Sequence, residues 1–99
     1  MSIITKKKIN SLLKFVYSDN DSLSVIFQDN DLLMGVVGEF NKNLKDLEKI
    51  TQSNLYSRGN SILIKSNPET NEIVKNAIQF LATQFINNGS IENKDIVSS

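Results

Sequence analysis

Gly38 divides the middle of the chain into two apolar stretches that a single helix cannot hold. Before it, Leu32, Leu33, Met34, Val36 and Val37 are too apolar to be exposed on more than one side. After it, Leu44, Leu47 and Ile50 recur at about 100° per residue on one side of a helix, with Lys42, Lys45 and Lys49 on the other. The spacing predicts two helices meeting at a glycine corner. Asp29, Asn30 or Asp31 would cap the first, and Asn41 the second, which runs from about Lys42 to Thr51. A helix that starts just after a glycine, with spare backbone N–H groups and a lysine at its mouth, can hold a phosphate. The plainer alternative is a turn followed by a solvated basic face.

The remaining elements follow from periodicity and turn chemistry. Leu23, Val25 and Phe27 alternate with polar residues as in a half-buried strand. Leu55 to Arg58 and Ser61 to Lys65 are strand-like runs joined by Gly59-Asn60, a favoured two-residue hairpin link. Asn67-Pro68 opens a helix that carries Ile73, Val74, Ala77, Ile78, Leu81 and Phe85 along one stripe until Asn87-Asn88-Gly89. Residues 1–22 read as a basic arm or an extra element. Ile9, Leu12, Leu13 and Val16 fit a helical stripe, while Leu13, Phe15 and Tyr17 alternate like a strand, so both readings stay open. Leu44, Leu47, Ile50, Ile73, Ala77, Ile78 and Leu81 are expected in one core.

With 99 residues the chain makes one small domain. It has no cysteine and no histidine, which removes thiolate metal sites, disulfides and every Ser-His or Cys-His arrangement. Its 11 basic and 11 acidic residues give zero formal net charge, so any nucleic-acid contact must come from a local patch. No apolar run approaches the ~18 residues of a membrane span, and a cytoplasmic location is expected. Asp19, Asp21, Asp29 and Asp31 lack the calcium-loop pattern of a central glycine and terminal glutamate, so no metal is expected.

The order strand, helix, corner, helix, strand, strand, helix predicts an α+β sandwich of two layers, a three-stranded sheet with helices packed on one face. That order resembles the KH fold, in which a GxxG loop clamps the nucleic-acid backbone. The matching residues are Gly38-Glu39-Phe40-Asn41, where asparagine replaces the second glycine. Over roughly residues 23–82 three segments together look like the N-terminal, KH-like domain of PhoH-like proteins. They are Phe27-Gln28-Asp29-Asn30, then Gly38 to Leu44 with Leu47-Glu48, then Arg58-Gly59-Asn60 followed by Ile62 and Ile64. The resemblance implies a KH-like domain at 23–87, with 88–99 a polar tail or linker toward a P-loop ATPase domain, in a family associated with RNA metabolism or phosphate starvation. No Gly-x-x-x-x-Gly-Lys-Ser/Thr occurs here, so ATP and magnesium would belong to that other domain and this chain is expected to be no enzyme.

Gly38, Phe40, Asn41, Lys42, Lys45, Tyr56 and Arg58 are the candidate nucleic-acid-binding residues. Phe40 could stack on a base or meet a partner, but is expected to fold back onto its own helices. Tyr56 with Arg58 could stack a base and hold a phosphate, or Tyr56 could cover the sheet while Arg58 pairs with an acidic neighbour. Two functions remain open. One is a weak, sequence-tolerant module for single-stranded RNA, serving a motor elsewhere. The other is an assembly domain with a degenerate clamp that contacts itself or a PhoH-type ATPase domain.

Overall fold

The computed structural model describes residues 12–19, 21–89 and Ile96. Its elements are β1 (Leu13–Asp19), β2 (Ser22–Phe27), α1 (Asn30–Val37), a 3-10 turn (Glu39–Asn41), α2 (Lys42–Thr51), β3 (Asn54–Arg58), β4 (Ser61–Lys65) and α3 (Pro68–Asn88). The strands form one antiparallel sheet in the order β1-β2-β4-β3, so the α+β class holds but the sheet has four strands, not the expected three. The fourth strand is β1. Its Leu13, Phe15 and Tyr17 lie opposite Phe27, Val25 and Leu23, and Leu13 is buried. The alternating pattern prevails over the helical one because pairing with β2 satisfies the backbone and seats β-branched and aromatic residues on a pleated surface. Lys6, Lys7 and Lys8, and most of the stretch read as a tail, lie outside the described residues; Ile96 is buried in the core.

One face of the sheet carries the core. Leu23, Val25 and Phe27 of β2 and Ile62 and Ile64 of β4 pack against Leu33 and Val36 of α1, Leu44 and Leu47 of α2, and Val74, Ile78 and Leu81 of α3. Two residues expected there are outside it: Ile50 is 51% and Ile73 59% exposed. Successive i,i+3 steps drift about 60° round a helix, so Ile50 has turned roughly 120° from Leu44 and left the buried face. Ile73 sits one residue, about 100°, before Val74. Gly35 lets α1 approach α3 closely, since a Cβ there would lie 2.3 Å from the Phe85 ring.

The turns follow their chemistry. The Asp29 carboxylate accepts from the N–H groups of Asp31 (2.8 Å) and Leu32 (3.3 Å) and starts α1. Asn67 accepts from the Thr70 N–H at 2.8 Å, with Pro68 in the first turn of α3. Gly59 takes φ 58° in the hairpin, which is tied to β2 through the Phe27 N–H donating to the Asn60 carbonyl at 2.8 Å. β3 is a sheet edge, and Glu48 of α2 covers part of it by accepting from the Leu55 N–H at 2.9 Å. Among the described residues no helix is long and apolar enough to cross a membrane.

Candidate nucleic-acid interface

Gly38 ends α1 with φ 79° and ψ 173°, a region of backbone space that is essentially glycine-only. Its N–H donates to the Met34 carbonyl at 2.9 Å, and its own carbonyl accepts from the Asn41 N–H at 3.0 Å. Phe40 (φ 55°) and Asn41 (φ 59°) then follow in the left-handed region, two consecutive non-glycine residues where steric cost is ordinarily avoided. Asn41 occupies the cap position of α2 without a side-chain hydrogen bond, contrary to expectation. A capping residue needs extended backbone to aim its side chain at the first-turn N–H groups, and a left-handed one does not. Asn43 fills part of the space at the corner instead: its amide nitrogen would lie 2.8 Å from a Cβ on Gly38.

The corner forms one end of a groove of about 520 Å³ between α1 and the β3-β4 hairpin. Asn30, Leu33, Met34 and Val37 line one side, Gly38, Glu39, Phe40 and Asn41 the end, and Ser57 and Gly59 the far side. Phe40 is 86% exposed, so its ring is presented to solvent rather than folded back. Lys42 and Lys45 do not line the groove. Lys42 lies 3.6 Å from Asp46 in an exposed pair, and Lys45 is exposed on α2.

Tyr56 and Arg58 belong to a different place. With Leu63 and Lys65 they line a shallow hollow of about 540 Å³ on the sheet face away from the helices. The seven candidate residues therefore separate into a groove set, a sheet-face set and two solvent-facing lysines. Sequence reasoning missed Met34, Leu63 and Lys65. The alternation of Ile62 and Ile64 with Ser61, Leu63 and Lys65 carried the signal for the last two, but their meeting with Tyr56 depends on strand register.

A third cluster clasps β1 to α3. The Tyr17 hydroxyl donates to Glu72 at 2.6 Å, Lys75 pairs with Glu72 at 3.0 Å, and the Lys75 ammonium stands 5.4 Å from the Phe15 ring centre. The Tyr17 hydroxyl and then Lys75 hold the Glu72 carboxyl below its ordinary range, while Glu72 raises both Tyr17 and Lys75. These groups are near the surface and tie a strand to a helix, so the cluster reads as a structural clasp. Among the described residues no group of acidic side chains is arranged to hold a metal ion. No protein-family model, curated protein or solved structure matches the chain.

Proposed function

We propose that the domain is a non-catalytic module that binds single-stranded RNA weakly and with little sequence preference, its bases entering the groove beside Gly38. The observation that carries this reading is Phe40, an almost fully exposed aromatic ring held on strained backbone at the end of a groove walled by Leu33, Met34 and Val37. Strain of about 1–3 kcal/mol persists where the surroundings impose it, and such residues cluster at sites that contact something else. The run from β2 through α1, α2, β3 and β4 to α3 supports a KH-like core to which β1 is added. It fits the resemblance to the N-terminal domain of PhoH-like proteins, whose ATPase domain, with its ATP and magnesium, would act in cis or in trans. With few phosphates neutralised and Glu39 opposing them, the dissociation constant is expected near ~10⁻⁴ to 10⁻⁶ M at physiological salt.

Fluorescence anisotropy with a short labelled oligouridine tests this. Phe40→Ala should weaken binding about 5- to 100-fold, the range for loss of one stacked base. Absence of binding by the parent protein at ~1 mM in low salt would overturn the reading.

A second reading rests on the apolar walls of the same groove, with Met34 61% exposed and Lys42 engaged by Asp46. Those features suit an apolar side chain of a protein partner, either a second copy or a PhoH-type ATPase domain. Sedimentation across a concentration series and titration with such a domain distinguish it.

A further inference from the structure

Among the described residues, helices cover one face of the sheet and leave the other bare. Register arranges the bare face in rows across the strands: Lys14, Ile26, Ser61 and Arg58 in one, and Val16, Ser24, Leu63 and Tyr56 in the next. Lys65 follows Leu63 along β4 on the same face. Lys14, Arg58 and Lys65 are exposed, and none makes an ion pair with a described residue. Asp19 pairs with Ser22 and Ser22 with Lys65, so one acidic residue stands at the β1 end of this third row, while the helices mix Asp31, Asp46, Glu48, Glu69 and Glu72 with Lys42, Lys45, Lys49 and Lys75. The helices are thus close to neutral, and on the flat face Lys14, Arg58 and Lys65 outnumber Asp19.

Tyr56, 47% exposed, sits between two of these cations. Arg58 is two residues along the same strand and Lys65 lies diagonally across the Tyr56–Leu63 pair, each about 7 Å away by strand geometry. We propose that this bare face is a second platform for single-stranded RNA, with a base stacked on Tyr56 and the flanking phosphates held by Arg58 and Lys65. The inference rests on reading the domain as a nucleic-acid binder. Half-exposed Leu63 and Ile26 give neighbouring bases an apolar surface, and Lys14 marks the far edge. Ser57 borders both this hollow and the Gly38 groove, so a strand leaving the groove crosses β3 directly onto the platform. Charge complementarity favours a polyanion over a second copy of the chain. A two-fold contact brings the same patch onto itself, and here it would set cation against cation.

The test uses oligouridine with the full chain. On a Tyr17→Phe background Tyr56 is the only tyrosine, and the chain has no tryptophan, so RNA stacking on the platform is read as quenching of its fluorescence. Quenching should saturate with RNA. Arg58→Glu with Lys65→Glu should abolish it and lower the salt slope of binding by about one to two units. Phe40→Ala should leave it in place, and Tyr56→Ala should weaken binding about 5- to 100-fold with circular dichroism unchanged. Binding that Phe40→Ala impairs while the sheet-face variants do not, with Tyr56 unquenched, would overturn the platform and keep the groove. No RNA binding by the parent would overturn both. A concentration-dependent dimer broken by the sheet-face variants, without RNA effects, would assign the face to a second copy and overturn the proposal.

Discussion

The groove beside Gly38 and the bare face of the sheet lie on either side of β3 and share Ser57, yet they are built in opposite ways. The groove is made by irregular backbone: a glycine in a region other residues avoid, two left-handed residues, and a ring pushed into solvent. Its lining is mixed, with Leu33, Met34 and Val37 beside Asn30, Glu39 and Asn41, and the lysine nearest in sequence is paired with Asp46. The sheet face is made by regular backbone and holds its cations in register on three different strands. Shape is concentrated at one place and charge at the other. A polyanion with bases can use both, whereas an apolar peptide gains little from the second.

Five substitutions test that contrast, in order of expected effect, with Leu63→Ala as the control for the first. The bare face depends on the covered one, so Ile62→Ala, at a fully buried position, should cost about 2–5 kcal/mol in urea unfolding. Leu63→Ala, one residue on and facing the other way, should cost no more than about 1 kcal/mol. A reversed order would mean that the faces have been assigned wrongly. Next, Gly38→Ala should cost about 1–3 kcal/mol, because alanine is strained at this φ and ψ and its Cβ meets Asn43. Quenching of Tyr56 by RNA should survive it, since the strand geometry does not rest on the corner.

Phe40→Gly should be neutral or stabilising by up to about 1 kcal/mol, as it relieves a left-handed conformation and gives up almost no buried surface. RNA binding should nevertheless weaken. A loss of stability instead would show that the ring packs against the protein. The smallest effect belongs to the clasp that holds β1, and Lys14 with it, against α3. The Glu72 carboxyl is lowered in the folded protein, so its contribution is present above the ordinary value of 4.5 and is lost as pH falls through the lowered one. Tyr17→Phe should flatten that acid limb of a stability–pH profile by well under about 1 kcal/mol, because solvent screens the pair. An unchanged limb would remove the hydroxyl as its cause.

What was legible in the sequence was local. The glycine corner, the hairpin, the Asp29 and Asn67 caps and the end of α3 at Gly89 each depend on a few adjacent residues whose backbone preferences decide the outcome. Ile50 and Ile73 were misplaced because a short stripe does not say where the centre of a helix face lies. β1 competed with a helical pattern until its pairing with β2 was in view. The corner was visible and its residues do line one groove, but Asn41 does not cap, Asn43 takes up space at the corner, and the lysines face away. Tyr56 and Arg58 were visible as a pair on one strand. Lys65 and Lys14 join them only through register across the whole sheet, a relation that no window of neighbouring residues contains.

Titration of isotope-labelled protein with oligouridine, followed by amide chemical shifts, tests most directly whether RNA uses both sides of β3. The expected result is perturbation of Met34 and Gly38 to Lys42 together with Tyr56 to Arg58, Leu63 and Lys65, while the α2 and α3 surfaces around Lys49, Ile73 and Lys75 stay unshifted. Perturbation confined to those helix surfaces, or none at saturating RNA, would contradict it.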